Sequence, residues 1–279
     1  MKTSDSTSAD PFAVDLMRQS LVASGATSEL RASYEPGQFP ALPEMSSSEL
    51  WDAMPGYSEV PAFRIRRLRQ VANLLPDRCR VLDIGSGWGE IIPMALEKPG
   101  REYVGLDFSE AMLAEVAKKY PQCRFLHGDT SSINDQFDVV MALEVCEHIV
   151  AHKIFAFFKE VQRLLKPGGL FIVTVPVFED LRAMTLRCPE CGHLHNRMGH
   201  VRSYSPELIR SELEIAGFDV SATSFVYAFF DNTMWGQLKR FVADYGRRAL
   251  GMGGIRPLNI VLIASAPDSS TTAKLQPAG

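Results

Sequence analysis

From residue 80 onward, short apolar runs alternate with amphipathic runs along the chain. The apolar runs include RVLDIG, FDVVMAL and LFIVTVP, and none of them shows a strict apolar–polar alternation. The runs that come after such strands, WGEIIPMALEK, SEAMLAEVAKKY and HKIFAFFKEVQRLL, are predicted to be helices. Ser109 is the candidate N-cap of the second helix, and KPGG is predicted to be a turn. Strands that are continuously apolar are typical of a parallel sheet covered by helices on both faces. The pattern therefore predicts an α/β fold with a Rossmann-like sheet.

The chain is long enough for one large domain with appendages. Its 279 residues are 46% hydrophobic and 22% charged, which is the balance of a globular protein. Both chain ends are rich in small and polar residues. We assign residues 60–266 to the domain, residues 1–59 to an N-terminal tail and lid segment, and residues 267–279 to a disordered tail.

Charge and cysteine content narrow the functional class. A net charge of −4 and a pI of about 5.9 argue against a protein that coats nucleic acid. The first ten residues are polar, and there is no apolar run long enough to span a bilayer. Five cysteines, an odd number, do not resemble a disulfide framework. We expect a cytoplasmic protein, and the sequence does not indicate its oligomeric state.

The stretch VLDIGSGWGE carries a strand into a glycine-rich turn at Gly85, Gly87 and Gly89. Such a turn lets backbone N–H groups approach a ligand at the start of the next helix. Alone it would suit NAD, FAD or S-adenosylmethionine, or a tight turn with no ligand. Asp83 lies two residues before the first glycine. A carboxylate there repels a pyrophosphate and attracts a sulfonium and an amino group, so it favours S-adenosylmethionine.

Two further acidic residues end the next two predicted strands. Asp107 lies 18 residues beyond Gly89, where a carboxylate can accept hydrogen bonds from both ribose hydroxyls. Asp129 comes directly after the third strand and can accept a hydrogen bond from the adenine amino group. Phe108 or Met112 can pack on the adenine face.

These motifs resemble class I S-adenosylmethionine-dependent methyltransferases, of the type 11, UbiE/UbiG-like group. VLDIGSGWGE, YVGLDFSEAML, FLHGD, FDVVMALEVCEHI and LLKPGGLFIVTVP occur in the family's order. The resemblance covers residues 60–265 and implies a seven-stranded sheet whose last strand is antiparallel, with the cofactor across the carboxyl ends of the first strands. A Rossmann dehydrogenase would have G-x-G-x-x-G, whereas residue 90 is Glu. The resemblance assigns the cofactor to Asp83, Gly85, Gly87, Asp107, Phe108, Met112, Asp129, Thr130 and Leu143.

The segment after the fourth predicted strand holds Glu144, Glu147 and His148, the candidate catalytic residues. In one interpretation Leu143 and Glu144 only shape the cofactor pocket, and His148 begins a helix or acts as a metal-free general base.

A second interpretation adds a metal ion to this segment. The E-x-x-E-H spacing resembles small-RNA 2′-O-methyltransferases and ubiquinone-pathway O-methyltransferases. That likeness implies a divalent cation such as Mg²⁺ and a further ligand downstream, for which His200 or His152 is available.

A Cys–His insertion, residues 184–204, comes after the fifth predicted strand. Cys188 and Cys191 with His195 and His200 give C-x2-C-x3-H-x4-H, the pattern of a structural zinc site, with His193 as a substitute ligand. A similar C-P-x-C-G knuckle followed by G-H-x-R-S and an aromatic residue occurs in a bacterial subset of class I methyltransferases. His200 cannot easily serve both this zinc and a catalytic metal.

Two helices with basic residues flank the predicted site. We expect the arginines of the helix over residues 61–75 to form a solvated face. The helix TMWGQLKRFVADYGRRAL has an apolar stripe. We interpret it as a helix packed beside the sheet rather than as a helix that contacts a membrane surface.

The sequence therefore predicts an S-adenosylmethionine-dependent methyltransferase. We expect O-methylation of a small molecule, such as a sugar or a secondary metabolite. The alternatives are an RNA or a lipid/quinone methyltransferase, and a non-catalytic S-adenosylmethionine-binding scaffold.

Overall fold

A computed structural model of the chain describes residues 62–187, 194–227, 234–249 and 257–266. The helices are α1 (Ala62–Leu74), α2 (Ile92–Ala95), α3 (Glu110–Lys119), α4 (Ile154–Leu164), α5 (Pro206–Ile215) and α6 (Met234–Ala249). The strands are β1 (Cys79–Ile84), β2 (Arg101–Asp107), β3 (Arg124–His127), β4 (Phe137–Leu143), β5 (Leu165–Pro176), β6 (Thr185–Arg187), β7 (Leu194–Asn196), β8 (Asp219–Val226) and β9 (Asn259–Ser265).

Seven of the strands form one sheet in the order β3-β2-β1-β4-β5-β9-β8. The pairs among β1 to β5 are parallel, and β9 is antiparallel to both of its neighbours. This confirms the predicted seven-stranded, Rossmann-like sheet with its last strand reversed. β1 to β5 and β8 therefore end at the same edge, which we call the carboxyl edge.

The strands at the centre of the sheet are buried on both faces. In β4, Val139, Val140, Met141 and Ala142 are all fully buried, and alternate residues belong to the two core clusters. One cluster lies under α4 and contains Phe158, and the other lies under α1. The continuously apolar strands of the sequence thus have the two-sided cover that was predicted for them.

Local differences from the prediction occur at the glycine-rich segments. The sequence WGEIIPMALEK was expected to form one helix, but α2 has only four residues, with Pro93 in its first turn. KPGG was expected to be a turn, but it lies within the bounds of β5. There the register jumps from Phe137↔Leu165 to Val139↔Leu170, so the four residues between form an irregularity in the strand. The predicted N-cap of α3, Ser109, is confirmed, since its side chain accepts from the Met112 amide.

Helix α6 has an unusual orientation. Gly236 is buried, and Arg240, Ala243 and Asp244 are half-buried, so its small and polar residues face the domain. The Arg240 guanidinium donates to the Tyr227 hydroxyl at 2.6 Å. The expectation that the apolar stripe packs beside the sheet is wrong for the described part of the chain. The exposed apolar residues are Trp235 (64%), Leu238, Phe241 (70%), Val242 and Tyr245.

Several predictions from the sequence concern residues outside the described ranges. These include the lid segment 1–59, the tail 267–279 and the zinc candidates Cys188, Cys191 and His193. On either side of residues 188–193, β6 and β7 pair as an antiparallel hairpin. Among the helices that the structure describes, none is both long and apolar enough to cross a bilayer.

Candidate active site at the carboxyl edge

The glycine turn after β1 has a backbone that side chains would disturb. Gly85 and Gly87 both have positive φ, at 72° and 49°. A Cβ on Gly85 would lie 2.7 Å from the Val145 side chain, so Gly85 is required by packing. A Cβ on Gly87 would meet nothing within 4 Å. Gly87 therefore faces open space at the carboxyl edge, as a residue that a ligand approaches would.

Asp83 is a buried carboxyl group with half of its hydrogen-bonding capacity unused. It is 3% exposed, and the Tyr103 hydroxyl donates to its Oδ2 at 2.6 Å. Among the described residues, its Oδ1 has no hydrogen-bond partner. Burial raises the pKa of Asp83 to about 7. A cationic or N–H-bearing ligand would supply the missing partner, so this position fits the predicted role.

Asp107 holds the glycine turn by its backbone. Its Oδ2 accepts from the Gly87 amide at 2.8 Å, and its Oδ1 accepts from the Ser109 amide at 3.0 Å. Each carboxylate oxygen has a further lone pair, so these bonds leave acceptor capacity for the predicted ribose hydroxyls. Asp107 thus connects the ends of β1 and β2.

The adenine side of the predicted site is more open. Asp129 is exposed, and its Oδ1 accepts from the Ser131 amide at 2.9 Å, at the start of a 3₁₀ turn that contains Thr130. Hydrogen bonds from Ser131 lower the pKa of Asp129. Phe108 is exposed, whereas Met112 is buried in the domain. Of the two candidates, only Phe108 offers a free surface to a ring.

Glu144 lies at the end of β4 but is already engaged on both oxygens. Its φ is 60°, a left-handed conformation that is uncommon outside glycine. The Thr174 hydroxyl donates to Oε1 at 2.8 Å, and the Asn259 amide donates to Oε2 at 2.6 Å. The Arg67 guanidinium lies 2.7 Å from Oε2. Arg67 is almost fully buried, so the expectation of a solvated arginine face on α1 is wrong at this position.

Glu147, His148 and His200 form a group that was only partly foreseen. One ligand atom from each lies within 4.8 Å of the others, and this is the only such group among the described residues. Glu147 is fully buried, and neither of its carboxyl oxygens has a hydrogen-bond partner among the described residues. The two imidazole rings meet edge to face, with centroids 4.8 Å apart.

Both histidines have one ring nitrogen engaged by an oxygen outside the group. Nδ1 of His148 lies 3.1 Å from the Gly199 carbonyl oxygen, and Nδ1 of His200 lies 2.7 Å from Oε2 of Glu179. When the proton lies on Nδ1 and is donated to such an oxygen, the ring's lone pair lies on Nε2. This is the arrangement of histidines that bind metal ions.

Burial determines the protonation of this group. Burial raises the pKa of Glu147 well above its usual value, and the charge of Glu144 raises it further. Burial, and to a smaller extent the nearby His200, lowers the pKa of His148 to about 4. His148 is therefore a neutral imidazole at physiological pH, able to accept a proton or bind a cation.

The loop after β7 brings His200 to the end of β4. The amides of Val201 and Arg202 both donate to the Glu147 carbonyl oxygen, at 2.9 and 3.2 Å. Arg202 also forms a buried ion pair with Glu212 of α5, and its guanidinium lies 4.8 Å from the centroid of the Tyr204 ring. The sequence motif GHVRSYS pointed to this loop, but the roles of Arg202 and Glu212 were not predicted.

The predicted zinc ligands are placed differently from one another. His200 lies with Glu147 and His148, whereas His195 is exposed on β7. Cys188 and Cys191 lie outside the described residues. His152, the other candidate for the catalytic metal, is exposed and is not part of the group.

Comparison with known proteins agrees with this geometry. Residues 81–169 match the Methyltransferase domain family. A probable S-adenosylmethionine-dependent methyltransferase of Mycolicibacterium smegmatis is 29% identical over 62% of this chain and 66% of its own length. The ubiquinone biosynthesis O-methyltransferase of Bradyrhizobium diazoefficiens is 30% identical over 46% of this chain and 57% of its own length. The chain thus spans less than two thirds of each of these relatives.

The fold has counterparts among solved structures. That of an S-adenosylmethionine-dependent methyltransferase from Archaeoglobus fulgidus superposes with a TM-score of 0.52 at 19% identity, over 72% of this chain and 93% of that one. At this identity the likeness concerns the fold alone. Residues 81–169 are therefore similar in sequence to the Methyltransferase domain family, and they lie in a sheet whose fold has counterparts among solved structures.

Proposed function

We propose that this protein is an S-adenosylmethionine-dependent methyltransferase that acts on a hydroxyl group of a small molecule. The observation that carries the proposal is the pair of unsatisfied buried carboxyl groups at the carboxyl edge. Among the described residues, one oxygen of Asp83 beside the glycine turn and both oxygens of Glu147 in the segment after β4 have no hydrogen-bond partner. Buried polar atoms without partners are costly, so both positions fit residues that bind ligands.

The cofactor side consists of the turn after β1 and the ends of β2 and β3. S-adenosylmethionine would supply a methyl group on a positively charged sulfur. Asp83 would face its cationic end, the open surface at Gly87 would admit it, and Asp107 would accept from its ribose. Phe108 and Asp129 would border the adenine. These residues bind and orient, which is where most of the rate enhancement of a direct displacement arises.

The acceptor side is the group formed by Glu147, His148 and His200. Its donor set is one carboxylate and two imidazoles. Two imidazoles suit a borderline cation such as Zn²⁺, Mn²⁺ or Co²⁺ better than Mg²⁺, which prefers oxygen ligands. The donor set therefore favours such a cation over the Mg²⁺ that the E-x-x-E-H spacing implied. Without a cation, His148 is neutral near pH 7 and can take the proton that an acceptor hydroxyl loses on methylation. A cation on the His148 lone pair would instead lower the pKa of the acceptor hydroxyl.

Oxygen as the methylated atom is supported by one relative. The ubiquinone biosynthesis enzyme is named an O-methyltransferase, and it shares part of its sequence with this chain. A quinone precursor is therefore the principal alternative to a sugar or a secondary metabolite. The net charge of −4 gives no support to RNA as the acceptor.

Residues 188–195 are proposed to carry a separate structural zinc. Cys188 and Cys191 have the spacing of a zinc knuckle, and His195 lies on the adjoining strand β7. Elemental analysis of the purified protein should find zinc that is lost in the double variant Cys188→Ser/Cys191→Ser. Zinc retained at the wild-type level in that variant would contradict the knuckle.

The function itself can be tested with methyl-labelled S-adenosylmethionine. The protein is incubated with the labelled cofactor and a cell extract, which is then separated into protein, nucleic acid, lipid and small-molecule fractions. We expect label in the small-molecule fraction, and none with Asp107→Ala. Label in RNA or lipid would contradict the acceptor class. Binding of S-adenosylhomocysteine with no label in any fraction would support a scaffold instead of an enzyme.

A further inference from the structure

Glu144 is separated from the other acidic and imidazole groups of the site. In the metal-binding interpretation of the E-x-x-E-H spacing, Glu144 and Glu147 would bind one ion together. In the structure the group of potential ligands contains Glu147, His148 and His200 but not Glu144. The Glu144 carboxylate instead accepts from Arg67, Thr174 and Asn259.

The three side chains that donate to Glu144 are all buried. Thr174 and Asn259 are both buried and lie on the paired strands β5 and β9. Arg67 lies on α1, and its side chain is 5% exposed. The Arg67 guanidinium lies 2.7 Å from Oε2 of Glu144, within the range of a charge-assisted hydrogen bond. Glu144 therefore has its positive partner already, from within the chain.

We infer that Arg67 takes the place of a metal ion at Glu144, so that a divalent cation in this site is held by Glu147, His148 and His200 alone. This rests on the proposed function, since it concerns the same site. The Glu144 side chain is 22% exposed, but its partners are buried. Withdrawing the carboxylate would take a partner from the buried Arg67 guanidinium and from two buried hydrogen-bond donors, which is costly. A metal ion would have to compete with that arrangement to recruit Glu144.

The inference has a chemical consequence for the acceptor. Three protein ligands leave one position free on a tetrahedral ion and three free on an octahedral ion. A fourth protein ligand would remove one of them. Arg67 thereby preserves coordination positions for oxygen atoms of the acceptor, and it favours acceptors that offer more than one oxygen.

Cobalt binding tests the inference without any turnover. The metal-free protein is titrated with Co²⁺, and binding is followed by visible absorption, while S-adenosylhomocysteine binding by calorimetry reports on folding. We expect Glu144→Gln to change the Co²⁺ dissociation constant by less than about twofold. Glu147→Gln should weaken binding by about 100-fold or more, beyond the loss typical of groups outside the ligand shell. Equal losses in both variants would overturn the inference.

Variants of Arg67 test the same inference by changing the partner of Glu144 instead of Glu144 itself. Arg67→Met frees the Glu144 carboxylate, so we expect tighter Co²⁺ binding and an altered absorption spectrum. Arg67→Lys keeps a positive charge and should retain the wild-type spectrum. Arg69→Met is the matched control, since Arg69 lies on the same helix in an exposed ion pair with Glu97. An unchanged spectrum in Arg67→Met, with S-adenosylhomocysteine still bound, would overturn the inference.

A wild-type protein that binds no metal ion at the proposed site would give a different result in the Co²⁺ titration. If the wild-type protein binds S-adenosylhomocysteine but no Co²⁺, the metal-assisted form of the proposed function is wrong. Arg67→Met then decides the inference by itself. Co²⁺ binding gained in that variant supports exclusion by Arg67, and no binding in either protein overturns it.

Discussion

At the scale of single residues, the site depends on carboxyl groups whose surroundings differ. Asp83 and Glu147 are buried, and each has carboxyl oxygens without a hydrogen-bond partner among the described residues. Both oxygens of Glu144 accept hydrogen bonds. Asp83 and Glu147 therefore fit residues that bind a ligand, whereas Glu144 fits a residue that connects elements of the fold. Residue type and spacing alone treat all three as equivalent, and only their partners separate them.

Asp83 should make the stability of the ligand-free protein depend on pH. Its pKa is about 7 when folded and about 3.9 in an unfolded chain. The folded state therefore holds a proton that the unfolded state releases. Its stabilising effect is complete below about pH 4 and is lost as the pH rises through about 7, by up to about 4 kcal/mol. Urea unfolding at pH 5.5 and 8 should show this loss.

The matched variant is Asp83→Asn, which cannot ionise. We expect its unfolding free energy to change much less than that of the wild-type protein between the same two pH values. A pH dependence equal to that of the wild-type protein would exclude Asp83 as its source.

Gly85 and Gly87 should differ when each is replaced by alanine. Gly85→Ala meets the Val145 side chain, so we expect it to destabilise the fold by about 2–4 kcal/mol. Gly87→Ala meets no protein atom, so only its backbone conformation is penalised, by about 1–2 kcal/mol. Calorimetry with S-adenosylhomocysteine should nevertheless show at least tenfold weaker binding for Gly87→Ala. Normal binding would mean that the cofactor lies elsewhere.

At the scale of elements, the local patterns of the sequence predicted helices and strands well but did not predict contacts between distant residues. The order of strands and helices and the N-cap at Ser109 were predicted because periodicity and capping are local. The length of α2 was not predicted, because Pro93 and the glycine turn shorten this helix. The burial of Arg67 was missed because its partner, Glu144, is 77 positions away in the chain. His200 was proposed for two sites, and only the fold places it beside Glu147.

The ion pair between Arg202 and Glu212 should be essential for the loop that carries His200. Both side chains are at most 4% exposed. Glu212→Ala leaves a buried guanidinium without its carboxylate, so we expect a loss of about 3–5 kcal/mol in unfolding free energy. The double variant Arg202→Met/Glu212→Leu should recover much of this loss, because neither charge remains. A double variant as unstable as the sum of the single ones would contradict a paired role.

The outer face of α6 should tolerate polar substitution. Phe241 is 70% exposed in the structure. We therefore expect Phe241→Ser to change the unfolding free energy by no more than about 0.5 kcal/mol. Phe158→Ser, inside the core, is the contrasting variant and should be severely destabilising. A loss above about 2 kcal/mol for Phe241→Ser would mean that another part of the chain, or another molecule, covers this face.

At the scale of the whole molecule, ligand binding joins elements that are far apart in the chain. The proposed cofactor residues lie at the ends of β1 and β2 and after β3, while the proposed acceptor group lies after β4 and in the loop before α5. S-adenosylhomocysteine at 100 times its dissociation constant should stabilise the fold by about 2.7 kcal/mol. For a domain of this size that raises the Tm by about 5–10 °C. Differential scanning calorimetry checks this, and no shift would contradict the cofactor site.

The sheet order also determines when during synthesis the protein can become complete. Among the described strands, β9 is the last to leave the ribosome, yet it lies between β5 and β8. Until residues 259–265 emerge, the facing edges of β5 and β8 have unpaired backbone groups, which are prone to pair with other chains. Asn259 also brings the final partner to Glu144, across 115 positions. A ribosome that stalls before this strand therefore releases a product that lacks this contact and is prone to aggregate.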